Sequence, residues 1–174
     1  MPPEMLFQIQ LVLGYVACLL WFRVYAFPKL KSMERFDAQR VIATIHSFRF
    51  FGLVFVLPGV VGPNLPPHFA TYAAYGDFAT GVLAILALLT VRVRPLFWSF
   101  VAAFNLVGAA DLLTAYYHAI QVGLPEHSGQ LGATYAIPIL YVPVLMITHI
   151  VALYWLGRPQ PKTVRVLTES TATS

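Results

Sequence analysis

Six side chains that carry or exchange charge fall inside long apolar stretches: His46, Arg49, Asp77, Asp111, His118 and His149, with Asn105 among them. An ionisable group in hydrocarbon costs on the order of 3 kcal/mol near the centre of a span, so each is a functional candidate by default. His46 and Arg49 are three residues apart, which puts them on one helix face. A rise of 1.5 Å per residue sets them roughly 8 and 12 Å from the basic end of their segment, and His149 about 12 Å from the same side. The three are expected to meet. Asp77 shares a stripe with Ala73, Gly81 and Ala84, and Asn105 is followed on one face by Gly108, Asp111, Ala115 and His118. Small residues around a polar one mark a face packed on other helices. Both aspartates are then expected at comparable outer depth, facing inward, with His118 above them. Two carboxylates close together in a low dielectric can share or relay a proton. Arg49 would fix an anionic group or hold a carboxylate ionised.

Each residue also has a plainer role. Arg49 can serve as a structural ion pair, and His46, His149 and Asn105 as interhelical hydrogen-bond partners. His68, Glu126 and His127 fall in turns, where solvated side chains are the rule. Pro138 and Pro143 each remove a backbone donor, which predicts a kink in the last helix and a cavity beside it.

Spanning ~30 Å of hydrocarbon takes about 20 apolar residues in a helix. Five segments qualify, at about 5–27, 41–62, 70–91, 95–120 and 133–157. They predict an all-α membrane protein, a five-helix bundle forming one domain over residues 1–162, with a disordered cytoplasmic tail over 163–174. Lys29, Lys31, Arg35 and Arg40 follow the first span, Arg92 and Arg94 the third, and Arg158, Lys162 and Arg165 the fifth. The other connections carry no Lys or Arg, so the positive-inside rule places the N-terminus outside and the C-terminus inside. Trp21, Tyr25, Trp98, Tyr154 and Trp155 fall at the expected inner boundary, and Tyr72, Tyr75, Tyr116, Tyr117 and Tyr135 at the outer one. Helix one carries only Arg23 near its inner end and reads as peripheral to the polar residues.

The composition agrees. Hydrophobic residues make up 59% and charged residues 10%, with a mean hydropathy of +0.72. A soluble domain carries about 25% charged residues. The formal charge of +4 does not point to nucleic acid, because the basic residues are few and lie between apolar runs. The one cysteine, Cys18, excludes an intrachain disulfide. The start, Met-Pro-Pro-Glu, lacks the basic region of a cleaved leader, so the first span reads as retained.

The runs 73–77 (Ala-Ala-Tyr-Gly-Asp), 104–113 (Phe-Asn-Leu-Val-Gly-Ala-Ala-Asp-Leu-Leu) and Pro138 to His149 resemble small multi-pass membrane proteins of bacterial genomes that lack an assigned function. The resemblance covers helices two to five. It implies a bacterial inner membrane and no particular chemistry.

The residues leave four classes of function open. The first is a polar site inside the bundle that binds a small molecule or lipid, hydrophobic or amphipathic, or relays protons. The second is a structural or assembly subunit, its basic loops on anionic lipid. A bis-histidine b-type haem on His46 and His149 is the third. The fourth is an intramembrane enzyme of unknown reaction using His46, Asp77, Asp111 and His149 as acids and bases. No HExxH, paired HxxxH or Cys cluster is present, so no metal site is expected. A homo-oligomer is compatible with all four.

Overall fold

The computed structural model describes residues 1–158, and these contain helices and turns with no strand. The expected tail 163–174, with Lys162 and Arg165, lies outside the described residues. Among the described residues, four helices are long and apolar enough to cross a membrane: Pro3–Ser32, Pro67–Leu89, Arg94–Gln121 and Ile137–Leu156. Their outward faces are apolar, with Val12, Leu13, Leu106, Leu113 and Ile150 exposed, while Arg49, His46 and Asn105 are buried inside. Charge within and hydrocarbon without is the arrangement lipid imposes, and it marks a membrane protein.

The first helix does not stop at residue 27, before Pro28, as the expected span of 5–27 has it. It runs as α1 (Pro3–Trp21), a π turn (Phe22–Ala26) and α2 (Phe27–Ser32). Widening the ladder by one residue absorbs the donor that Pro28 lacks, so the chain continues as a helix. The last helix repeats the device. A 3₁₀ segment (Ser128–Tyr135) leads into a π turn (Ile137–Tyr141), which ends two residues before Pro143. Then α6 (Val142–Leu156) completes the element. Proline at 143 leaves the Ile139 carbonyl without its usual helical donor. Gly14 of α1 presses its backbone against that carbonyl, where a Cβ would collide with Ile139 O. Where the prolines predict a kink, the ladder widens into a π turn, and its free carbonyl also seats α1.

The second element departs most from expectation. It begins with α3 (Arg35–Ser47), six residues before the expected start, because Arg35 and Arg40 join the helix instead of the loop. Arg35 donates to the carbonyls of Trp155 and Arg158 at the C-terminal end of α6, a favourable place for a cation. From Phe48 to Val56 the chain is 3₁₀. Only Arg49, Gly52 and Phe55 of that segment are buried, while Phe48, Phe50 and Phe51 face outward. A repeat of three is the 3₁₀ period, in which i and i+3 eclipse. The tighter winding thus lines up Arg49, Gly52 and Phe55 on one edge against the next helix. The element is not one continuous α-helix, which is why four helices rather than five meet the length and composition of a span.

The remaining helices, α4 (Pro67–Leu89) and α5 (Arg94–Gln121), match their expected ranges within three residues. They pack along each other, α4 also on α3 and the 3₁₀ segment, and α5 on α6. Ile42, Ala84, Phe97, Val101, Phe104 and Ala152 form an apolar core toward one end. Phe7, Phe55, Phe69, Leu131 and Ile137 form another toward the other end. The polar groups lie between them.

A buried arginine clamp beneath an apolar cavity

Arg49 is the hub. Its Nε donates to Asp77 Oδ1 at 2.6 Å and its Nη2 to Asp111 Oδ2 at 2.5 Å. Its Nη1 reaches the Gly108 carbonyl at 3.3 Å and His149 Nε2 at 3.2 Å. Guanidinium only donates, so His149 Nε2 accepts and the ring carries its hydrogen on Nδ1. That nitrogen donates to Asn105 Oδ1 at 2.9 Å, and Asn105 Nδ2 donates to the Val101 carbonyl at 2.8 Å. The chain of donors is thereby fixed from Arg49 to the α5 backbone. Arg49, His46 and Asn105 have no solvent exposure, His149 1%, and the two aspartates 8% each.

Close helix approach makes this possible. A Cβ on Gly108 would lie 2.6 Å from Arg49 Nη1 and from His149 Nε2. Gly52 and Gly76 give way to the side chains of Asp77 and Asp111 in the same manner. Four elements meet here within one guanidinium's reach: the 3₁₀ segment, α4, α5 and α6.

The sequence separated an inner group of His46, Arg49 and His149 from an outer group of Asp77, Asp111 and His118. The structure merges the two through Arg49 and leaves His118 out. His118 is half-buried against Tyr72 and His68, with ring centroids 4.6 and 5.2 Å away. It does not line the cavity described below. His46 stacks on His149 at a centroid distance of 3.9 Å and bonds Thr148 Oγ1 through Nε2 at 3.0 Å. With the rings in contact and both His149 nitrogens engaged, no slot for a porphyrin remains between them.

The two aspartates form the floor of a cavity of about 440 Å³. Its walls come from Phe7 and Leu11 of α1, Phe69 and Ala73 of α4, Ala115 and Tyr116 of α5, and Ile137 and Pro138 of the π turn. The cavity lies where the prolines predicted one. Helix one, read from the sequence as peripheral to the polar residues, takes part in walling this cavity. Glu4, Phe7, Gln8 and Leu11 line it, and Tyr15 hydrogen-bonds Tyr116 across to α5. Sequence reasoning missed these residues, along with Gln39, whose amide donates to the Ala152 carbonyl at 3.1 Å. The polar positions of α1 (Glu4, Gln8, Gln10 and Tyr15) were the available signal. Asp111 Oδ1 is buried against Gly76 without a hydrogen-bond partner among the described residues.

The sequence model of a family described as a domain of unknown function (DUF8737) matches residues 6–157. No curated protein and no solved structure matches the chain.

Proposed function

The chain belongs to the DUF8737 family, and from its buried cluster we propose that it is a five-span membrane protein that binds a small amphipathic molecule. The molecule's polar end rests on Asp77 and Asp111 and its apolar body fills the cavity above them. The observation that carries this reading is the position of the arginine-clamped carboxylates at the floor of an otherwise apolar chamber. Clamping holds both acids in place without a ligand, so the floor is preorganised. Apolar walls with a few convergent polar groups are the usual make-up of a small-molecule site.

The fifth span is α3 with its 3₁₀ continuation. Thirteen α-helical and nine 3₁₀ residues extend roughly 37 Å at their respective rises, more than the ~30 Å hydrocarbon layer. The basic connections support an inside C-terminus, which puts the cavity in the outer half of a bacterial inner membrane. In a Cys18→Ser background, Glu126→Cys is expected to react with a membrane-impermeant maleimide on intact cells. Arg158→Cys is expected to react only after permeabilisation, and the reverse pattern would invert the topology.

Ala115 and Ala119 both line the chamber, so Ala115→Leu with Ala119→Leu fills it from one helix face. The uncharged fluorophore 1-aminoanthracene should bind the wild-type protein in lipid nanodiscs saturably and lose at least about tenfold in affinity in this variant. Equal affinity in a folded variant would remove the cavity as a binding site.

A further inference from the structure

The cavity has one sign of charge. Among the described residues its ionisable lining is Glu4, Asp77, Asp111 and Glu126, with Tyr116, and it includes no Lys, Arg or His. Glu4 and Glu126 are exposed, and the aspartates form the floor. The nearby positive charge is withheld. Arg49 has no solvent exposure, does not line the chamber, and spends its donors on Asp77, Asp111, Gly108 and His149. An anionic headgroup entering the cavity would therefore meet carboxylates and no free cation.

One further observation points to what the floor lacks. Arg49 supplies one positive charge to two carboxylates, and the His149 tautomer adds none. The Asp111 oxygen that has no hydrogen-bond partner among the described residues packs against Gly76 of α4, so the deficit on the cavity side is one of charge. A ligand that brings a positive charge to the floor would relieve it.

We infer that the cavity takes a lipophilic amine, a molecule with an apolar body and a cationic nitrogen directed at Asp111 and Asp77. This rests on the cavity reading above and adds the ligand's chemical class. Ammonium N–H groups form charge-assisted bonds with carboxylates, about twice the strength of neutral ones. Phe7, Phe55 and Phe69 line the path above the floor and offer aromatic surface to the organic body and to the cation. Glu4 and Glu126 would attract the cation to the mouth.

The test compares two fluorescent probes of similar size and opposite charge, dansylcadaverine and dansyl-aminohexanoic acid. Each is titrated into the protein in phosphatidylcholine nanodiscs, with empty nanodiscs subtracted. The amine is expected to bind at least about tenfold more tightly than the acid. Asp111→Asn should abolish that preference, and Glu4→Gln with Glu126→Gln should reduce it severalfold. These two glutamates are exposed, so the second variant keeps the test decisive where Asp111→Asn does not fold. If the acid binds as tightly as the amine and both are lost in Ala115→Leu/Ala119→Leu, the amine class is overturned and the cavity reading stands. If neither probe binds, or filling the cavity changes nothing, both are overturned.

Discussion

Arg49→Met is expected to destabilise the protein by about 3–5 kcal/mol, the loss found when one partner of a buried charge network is removed. The side chain is wholly buried and, among the described residues, is the only cation bonded to Asp77 and Asp111. Methionine fills much of the same volume, so packing is kept and the loss reports charge. Both carboxylates would remain in a chamber closed to water on the Arg49 side, with nothing opposite them. Arg49→Lys should not rescue. One ammonium cannot reproduce two divergent bonds to different helices together with the bonds to Gly108 and His149. Neutralising all three, as Arg49→Met/Asp77→Asn/Asp111→Asn, should recover a large part of the stability, because unpaired charge is the costly species. Thermal unfolding in detergent measures the series. A stable Arg49→Met with intact helix content would show that the clamp does not hold the bundle together.

Gly108→Val is expected to be nearly as damaging by a different route. Even the first added carbon would lie 2.6 Å from Arg49 Nη1, His149 Nε2 and Thr80 Cγ2. Thr80 belongs to α4, Arg49 to the 3₁₀ segment and His149 to α6, so no one neighbour can yield alone. Overpacking of this kind costs about 1–3 kcal/mol, and a branched side chain also dislodges the guanidinium from its carboxylates. Gly108→Ala should fall between wild type and valine in the same unfolding assay. Valine at wild-type stability would mean that α5 has room to retreat and that the close approach is dispensable.

The local rules that worked in the sequence were those tied to one helix. Asp77 with Ala73, Gly81 and Ala84, and Asp111 with Asn105 and Gly108, do form packed faces, since helical periodicity is decided within a single element. Pro138 and Pro143 foretold an irregular last helix, seen as the π turn, and the cavity beside it, because a missing donor acts locally. What escaped depended on relations between elements. That Arg49 would reach both aspartates required a 3₁₀ segment to turn it toward α4 and α5. Helical spacing placed Arg49 beside His46 and said nothing of its reach. The Arg49–Gly52–Phe55 triplet was a usable signal for that tighter winding, flanked as it is by outward phenylalanines. Pro28 misled because a π turn can absorb a proline that an α-helix cannot. His118 sits where the α5 face has rotated away from the cavity, toward Tyr72 and His68. Helix one looked peripheral because it carries few ionic residues, yet it walls the chamber through Phe7 and Leu11.

The central claim is that the chamber above Asp77 and Asp111 holds a small molecule in the membrane. Native mass spectrometry of protein drawn directly from its own membranes into nanodiscs tests it most directly. Wild type is expected to carry a discrete adduct of one small molecule per chain, absent from folded Ala115→Leu/Ala119→Leu and depleted in Asp111→Asn. A wild-type protein with no adduct beyond that of the cavity-filled variant would contradict the account.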